Sequence, residues 1–497
     1  MATEPVSPTP LPAYLQFAQP NPLDKRGPWY LNTAPTYAGV FLWFVFWDSI
    51  ATHGLVKGSL WLVLFGVLLG GIICHVLFYL VPGLLGMKTG LPLYIVGTST
   101  FGAVGGLLMP GFLMGLLQFG WLGINTFASS KFLAEAIVGG SKMPAYTPVF
   151  IVLCILFAAG AAFIGLKGIQ YVAKVATFLP LIPLAVLILA LVQFGGSALQ
   201  YEPPLSSAGA RTTTDELLAL LAMAGIIVAF FATAGAAGVD FGMNNRNSTD
   251  VNMGGIVGIL VAILVTAGVA TLAVAGAHVE HALPNQKITQ EMVEKTREDL
   301  QKAGKDEETI KKAEAKTMEE ENYKVTNALR SDQAGLPGWL VTAMMIGLTI
   351  AAFPGACFSS FIAANSFKTV MPQVNSFLSV GVGALVSILL AITGVAGDLK
   401  AVFGIIGASF GPICGAMCVD YLLAGCKWSG PRAGFNPAGW VSWVLGFVVG
   451  IMPNLGVDVP VAPVLAFVVG AVVYFVLAKI GLQSRVLPYA PAAKQQA

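Results

Sequence analysis

Long, uninterrupted runs of apolar residues limit the folds open to this chain more than any other feature of its sequence. The hydrocarbon core of a bilayer is about 30 Å thick, so a helix of roughly 20 apolar residues can span it. The runs do not alternate between apolar and polar positions, which favours helices over strands. We therefore predict an all-α integral membrane protein with about 12 transmembrane helices, near 37–55, 59–82, 105–130, 147–166, 170–195, 216–238, 254–277, 337–363, 374–397, 401–425, 437–455 and 461–481.

Charged residues are scarce, and many of them lie in one segment. Lys, Arg, Asp and Glu make up 10% of the 497 residues, and 22 of these 52 residues fall between Ala282 and Leu336. A soluble domain carries about 25% charged residues, so the rest of the chain has too few to cover a surface in water. The net charge is +2 and no basic patch with interleaved aromatic residues is present, so no nucleic-acid partner is expected.

The distribution of polar residues divides the chain into five parts. A Pro-rich polar segment at 1–32 predicts a disordered cytoplasmic tail, and 482–497 predicts a second cytoplasmic tail. Spans 1–7 occupy 33–277 and spans 8–12 occupy 337–481, with the charged segment 278–336 between them. Lys and Arg are more frequent in the short loops on one side, which favours a multi-pass protein of the plasma (inner) membrane with both termini cytoplasmic.

The charged segment has the composition of two exposed helices. Residues 289–300 and 307–327 are rich in Glu, Lys, Ala and Gln, and Gly304 marks a break between them. We therefore predict a helical hairpin insertion on the extracytoplasmic side. It is either a solvated cap with no further role or, over 285–333, a surface for a partner or a gate.

Polar residues inside membrane spans are costly and therefore mark candidate functional sites. In span 3, Trp121 and Asn125 follow Gln118 by three and seven residues, which places all three on one face of a helix. The indole ring offers a stacking surface, and the two amides supply donors and acceptors to the edge of a flat heteroaromatic solute. The alternative is that these groups join neighbouring helices.

Span 6 contains two adjacent aromatic residues among small ones. Either Phe230 or Phe231 could supply a second stacking surface, although the residues by themselves favour packing against lipid or other helices.

Span 8 contains two adjacent hydroxyl residues after a Pro-Gly pair. Ser359 and Ser360 could complete an oxygen cage for a small cation such as sodium, together with backbone carbonyls of a facing helix. Hydroxyls that bond to the carbonyl four residues earlier are the alternative. Asn365 lies about a turn and a half further along the same helix.

Asp48 is an acidic residue well inside span 1 for which no loop accounts. It is a candidate site for a proton or a cation. Equally, it is an acid near the outer interface, because His53 and Lys57 follow closely.

No catalytic motif is apparent. The sequence contains no Walker loop, no paired-His metal motif and no Gly-x-Ser-x-Gly turn, so we expect neither an enzyme nor a cofactor. Without an ATP site, movement of a solute would be passive or would depend on an ion gradient.

Four groups of residues together resemble the nucleobase:cation symporter-1 family, which includes cytosine, hydantoin, allantoin and uracil permeases. The resemblance covers most of the chain from about 30 to 480, and only the hairpin lies outside it. The groups are Ser99-Thr100-Phe101-Gly102 with Gln118-Phe119-Gly120-Trp121-Leu122-Gly123, Phe231 with Asp240-Phe241, Ser359-Ser360 with Ala363-Ala364-Asn365, and Gly411-Pro412-Ile413-Cys414-Gly415 with Val419-Asp420-Tyr421.

The resemblance implies a transporter with two inverted five-helix repeats, spans 1–5 and 6–10, and two peripheral helices. It also implies alternating access and coupling to sodium or protons. In the family, an aromatic residue of span 3 and one of span 6 hold the solute ring between them, roles that pass to Trp121 and Phe231. The other residues implied are Gln118, Asn125 and Asn365 at the solute edge, and for sodium Ser359, Ser360 and the Ala356 carbonyl of span 8 with the Phe46 and Ser49 carbonyls of span 1.

The sequence therefore predicts a cation-coupled symporter that imports a nucleobase or related small heterocycle across a lipid bilayer. Sodium is the expected coupling ion and a proton is the alternative. Two other functions remain open: an amino-acid or amine transporter of similar fold, in which Asp48 would meet an ammonium group, and a non-transporting sensor or scaffold that uses the hairpin.

Overall fold

The protein is helical throughout the part of the chain that the structure describes. The structure is a computed structural model and describes residues 11–56, 58–138, 147–167, 171, 178–203, 212–283, 287–302, 304, 306–457 and 459–489. Within these ranges, ten helices are long and apolar enough to cross a membrane. A broken helix at the start of the chain and a shorter apolar helix between two of the ten bring the number of spans to twelve.

The twelve spans follow the predicted order, with two of them broken into halves. Span 1 consists of 1a (Thr33–Phe41) and 1b (Phe44–Gly54), and span 6 of 6a (Thr213–Ala236) and 6b (Gly238–Gly242). The predicted span 1 began at 37 and had no break, so that prediction is corrected. The remaining spans are 2 (Leu60–Thr89), 3 (Leu107–Ile137), 4 (Pro148–Lys167), 5 (Leu181–Gln200), 7 (Ser248–Val279), 8 (Gly338–Val370), 9 (Ser376–Ile392), 10 (Leu399–Leu423), 11 (Pro437–Leu455) and 12 (Ala462–Lys479).

The two halves of the chain interlock rather than lie side by side. Spans 1 and 2 pack against 6 and 7, and spans 3 and 4 pack against 8 and 9, while 10, 11 and 12 contact one another. Each half begins with a broken helix, and its third helix is long, with 31 residues in span 3 and 33 in span 8. This pairing of corresponding helices agrees with the predicted repeat of five helices followed by two peripheral ones.

The bundle has two ends, which we name by the segments that lie there. At the terminal face, Gly27 meets Asn245 and Arg432 meets Val486, so both ends of the described chain lie there. The opposite end is the hairpin face, where the charged segment leaves span 7 and returns to span 8.

The N-terminal segment is ordered from residue 11 onward, which corrects the prediction of a disordered tail for 11–32. Leu15 is fully buried. The Gly27 N–H donates to the Asn244 carbonyl at 2.9 Å, and the Arg26 guanidinium donates to the Met87 carbonyl. The segment therefore covers the ends of spans 2 and 6 at the terminal face. Residues 1–10, and residues 490–497 of the predicted second tail, lie outside the described residues.

The charged segment forms the predicted hairpin, of helices Lys287–Lys302 and Glu307–Glu321. Gly304 has φ +67°, and the Asp306 carboxylate accepts from the Thr309 N–H at 3.0 Å, so the break lies where the sequence placed it. The second helix ends at Glu321 and not near 327. The chain then turns back through 322–330, which we call the return segment, and its short helix Val325–Leu329 is entirely buried. The charged segment therefore combines the hairpin with a buried return segment.

Candidate functional site

The break in span 1 exposes backbone groups in the middle of the bundle. Residues 42–43 separate the two helical halves, and no Gly or Pro lies there. The Leu42 carbonyl, which the break frees, accepts from the Trp47 indole N–H at 3.1 Å. Backbone that leaves the helix inside a membrane is tolerated only where protein or a cavity surrounds it, so the break marks the candidate site.

Four aromatic side chains meet next to this break, and we call them the central aromatic cluster: Trp43, Trp121, Phe230 and Phe403. The Trp121 ring lies edge-on to Phe230 at 5.0 Å between centroids and contacts Trp43 at 5.8 Å. Phe403 of span 10 lies 5.6 Å from Trp121 and 5.3 Å from Phe230. Spans 1, 3, 6 and 10 therefore each contribute one ring to a single apolar centre.

Two indole N–H groups give this apolar centre its polar character. The Trp121 Nε1 donates to the Thr233 hydroxyl of span 6a at 3.2 Å. The Trp43 Nε1 is buried and has no hydrogen-bond partner within the described residues. Because a buried donor without a partner is costly, the Trp43 N–H is a group that a bound solute could satisfy.

The two span-3 amides, three residues before and four residues after Trp121, both bond within their own helix. The Gln118 amide donates to the Met114 sulfur at 3.5 Å, a weak acceptor. The Asn125 amide donates to the Trp121 carbonyl at 2.9 Å. The Asn125 amide oxygen faces Gly355 of span 8, since a Cβ atom added to Gly355 would lie 3.6 Å from that oxygen.

Phe231 lies on a different side of span 6a from Trp121. Its ring is stacked on Phe41 at 5.7 Å and contacts Tyr37 at 5.6 Å, so it belongs to the interface with span 1a. Phe230 contacts Trp121 instead, because consecutive residues of a helix point about 100° apart. The structure thus differs from the expectation that Phe231 faces Trp121.

Asn365 is exposed and lies closer to the terminal face than the central aromatic cluster. Its neighbour Ser366 contacts Gly115 of span 3, which is six residues before Trp121, or about 9 Å along the helix. The structure does not bring Asn365 to the level of Trp121.

The residues predicted to hold sodium lie in regular helix. In span 8 the Ser360 hydroxyl donates to the Ala356 carbonyl at 3.1 Å, and Ser360 packs on Gly165 of span 4. In span 1b the Ser49 hydroxyl donates to the Phe46 carbonyl at 3.1 Å. Both contacts are of the back-bonding kind that the sequence left open. Ser359 is also buried.

Asp48 contacts the return segment of the charged insertion. Its side chain is 5% exposed, one carboxylate oxygen accepts from the Thr326 N–H at 3.0 Å, and the other accepts from the Thr326 hydroxyl. The two residues are 278 positions apart in sequence, so no local pattern could have indicated the pair. Sequence reasoning also missed Trp43, Thr233 and Phe403, whose positions depend on the helix breaks.

The fold is shared with solved structures of membrane transporters, although no family model and no curated protein sequence matches this chain. The inward-facing conformation of Mhp1 covers 95% of this chain and 95% of its own, with a TM-score of 0.65 and 16% identity. Mhp1, described as a nucleobase-cation-symport-1 family transporter, also matches in a closed conformation with bromovinylhydantoin bound, over 93% of both chains, with a TM-score of 0.61 and 15% identity. A Na⁺-coupled sialic acid symporter in a substrate-bound outward-open state covers 95% of this chain and 93% of its own, with a TM-score of 0.54 and 12% identity.

These likenesses establish the fold. The predicted class is confirmed: an all-α membrane protein with two five-helix inverted repeats and two peripheral helices. At such low identities the likeness does not extend to the solute.

Proposed function

We propose that this protein is a cation-coupled symporter that imports a nucleobase or a related small heterocycle by alternating access. The observation that carries the proposal is the central aromatic cluster beside the break in span 1, with the unpartnered Trp43 N–H among its rings. Flat rings of Trp121 and Phe230 suit a flat solute, and an indole donor suits a ring nitrogen or carbonyl of a heterocycle.

The fold supports the coupling to an ion. The matching structures include a Na⁺-coupled sialic acid symporter and a nucleobase-cation-symport-1 transporter. We propose sodium as the ion, held by Ser359, Ser360 and the Ala356 carbonyl of span 8 together with the Phe46 and Ser49 carbonyls of span 1. The terminal face would be cytoplasmic in the plasma (inner) membrane, in line with the excess of Lys and Arg there.

One observation weighs against an amine or amino-acid solute. That alternative requires the Asp48 carboxylate to meet an ammonium group, but both of its oxygens accept from Thr326. The side chain is therefore occupied at the hairpin face.

The test measures the Tm of the purified protein in the presence of nucleobases, hydantoins or amino acids, in sodium and in choline buffers. A ligand that binds only the folded state at 100 times its Kd stabilises it by about 2.7 kcal/mol. We expect one heterocycle to raise the Tm, and to raise it more in sodium. A shift with amines alone would favour the amine transporter, and no shift in any buffer would favour the sensor.

Two variants locate the site within this experiment. Trp121→Ala should abolish the shift by the heterocycle, because it removes the ring at the centre of the cluster. Trp61→Ala is the matched control, because Trp61 of span 2 is 69% exposed on the outside of the bundle. Ser360→Ala should abolish the additional shift in sodium, and an unchanged sodium effect would refute the ion assignment.

A further inference from the structure

The return segment fills the hairpin-face end of the bundle. Its helix Val325–Leu329 packs against spans 1b, 5 and 7. Thr326 and Leu329 line a small cavity together with Phe132 of span 3 and Leu348 of span 8. That cavity is only about 10 Å³, roughly enough for one water molecule, so the segment packs closely against these helices.

Polar contacts attach the return segment to three different spans. The first is the Asp48–Thr326 pair on span 1b. The second is the salt bridge from Arg330 to Glu135 of span 3 at 3.0 Å. The third involves His278 of span 7, whose Nε2 lies 2.7 Å from the Asn322 carbonyl and whose ring is stacked on a neighbouring tyrosine.

Asp48 differs from the other acids around the return segment in its partners. Glu135 pairs with Arg330, and Glu321 pairs with Lys324 at 2.6 Å. Within the described residues, Asp48 forms no ion pair, and the two donors that it accepts from are neutral groups of Thr326. A buried carboxylate without a cationic partner is readily neutralised by a proton.

Protonation would weaken the contact between Asp48 and the return segment. An ionised carboxylate accepts from both the N–H and the O–H of Thr326, and charge-assisted hydrogen bonds are about twice as strong as neutral ones. A protonated carboxyl group carries an O–H donor on one oxygen, which reduces its capacity to accept hydrogen bonds. It therefore accepts the two hydrogen bonds from Thr326 more weakly than the ionised form does.

The charged residues near Asp48 keep their charges, so Asp48 is the residue whose protonation state we expect to change with pH. Lys324 attracts and Glu321 repels its negative charge, and these two residues pair with each other. Burial raises the pKa of Glu321, but Lys324 and Lys131 together lower it to about 2, so Glu321 stays ionised between pH 5 and 8. Among the described side chains that contact the return segment, His278 on span 7 is another group to be tested as a source of pH dependence.

We propose that the return segment is the gate at the hairpin face, and that a proton on Asp48 opens it. With the hairpin face outside, binding of an external proton to Asp48 would open the gate to the solute, and release of that proton to the same side would close it. The inference deepens the proposed function and rests on it for the link to transport. The opening of the gate itself does not require a solute and can be measured alone.

The experiment measures exposure of a buried residue in the return segment. Ala328 is 1% exposed, and cysteine is close to alanine in size, so Ala328→Cys reports opening by its reaction with a hydrophilic thiol reagent. Cys426 is exposed and is replaced by serine, whereas the other five cysteines are buried. Each rate is divided by the rate of the same variant unfolded at the same pH, which removes the effect of pH on the thiol.

We expect the corrected labelling rate to rise about tenfold between pH 7.5 and pH 5, in the absence of any solute. Asp48→Asn should label fast at both pH values, because its neutral amide no longer binds Thr326 as an anion does. Thr326→Val removes the hydroxyl donor and keeps the Asp48 carboxylate, and this variant should also label faster. It replaces Asp48→Asn in the test if Asp48→Asn does not fold. Asp332→Asn, an exposed acid beyond the return segment, should behave as the parent does.

Two outcomes would overturn the proposal. One is a corrected rate that does not change with pH in the parent. The other is a pH dependence that persists in Asp48→Asn and disappears in His278→Gln. Because the readout needs no transport, a failed solute screen with a pH-dependent labelling rate would reject the proposed function and leave the gate standing.

Discussion

Phe230 and Phe231 are neighbours in sequence and belong to different parts of the molecule. Phe230 joins Trp121 in the central aromatic cluster, while Phe231 packs on Tyr37 and Phe41 of span 1a. The sequence indicates that an aromatic residue of span 6 lies near Trp121, but the side that each residue faces depends on the rotation of the helix. That rotation is set by packing against span 1, which single-residue patterns do not encode.

Substitution of the two phenylalanines separates their roles. Phe230→Leu should weaken binding of the heterocycle by roughly two- to tenfold, because it removes a ring-to-ring contact worth about 0.5–1.5 kcal/mol. Phe231→Leu should leave binding nearly unchanged and lower the Tm, because it disturbs the packed interface with span 1a. Thermal stability and ligand titration of both variants test this, and equal losses of affinity would contradict it.

Glu321 gives the hairpin face a second, more acidic pH dependence. Its pKa is about 2 in the folded protein against an ordinary value of 4.5, so it contributes stability above pH 4.5 that is lost as the pH falls toward 2. The Tm difference between the parent and Glu321→Gln should therefore shrink as the pH is lowered from 5 to 2.5. Glu308→Gln is the control, because Glu308 is exposed, and a constant difference for Glu321→Gln would refute the assignment.

At the scale of the elements, hydropathy located the spans but not the breaks within them. The turn at Gly304 was predictable because glycine adopts positive φ and Asp306 caps the helix that follows. The break in span 1 at 42–43 has no such residue, and it persists because Trp47 satisfies the freed carbonyl. The ordered N-terminal segment was missed because its contacts are with residues far away in sequence, such as Met87 and Asn244.

Close backbone contact holds span 6b against span 2. A Cβ added to Gly242 would lie 2.0 Å from the Gly83 carbonyl oxygen, so Gly242→Ala must separate the two helices. We expect a loss of about 1–3 kcal/mol in the free energy of unfolding. Gly268→Ala in span 7 is the control, because nothing lies within 4 Å of its added Cβ, and it should be tolerated. Equal stability of the two variants in a denaturation experiment would contradict the proposed contact.

At the scale of the whole molecule, the insertion combines an exposed hairpin with a buried return segment. The hairpin helices are joined to each other by exposed pairs, such as Arg297 with Glu307 at 3.4 Å, whereas 325–329 is buried in the bundle. The sequence predicted the hairpin from its charge. It could not predict the return segment's position, because the contacts with Asp48 and Glu135 depend on the assembled bundle.

Removal of the hairpin alone therefore tests which part of the insertion matters. Replacement of 289–318 by a short Gly-Ser linker should leave the heterocycle-dependent Tm shift intact, because exposed ion pairs contribute little stability. Loss of binding in this variant, together with normal binding in Trp121→Ala, would favour the sensor or scaffold. Ligand-dependent Tm measurements on the two proteins decide between these outcomes.

The interlocked halves have a consequence for how the chain is made. Span 1 leaves the ribosome first, yet its partners in spans 6 and 7 and the return segment follow about 160 to 270 residues later. At 5–20 residues per second, roughly 10 s to a minute passes before they arrive. During that time Asp48 and the helix break sit in the insertion machinery or lipid without their final neighbours, so chains that stop before the return segment should be targets for membrane quality-control proteases.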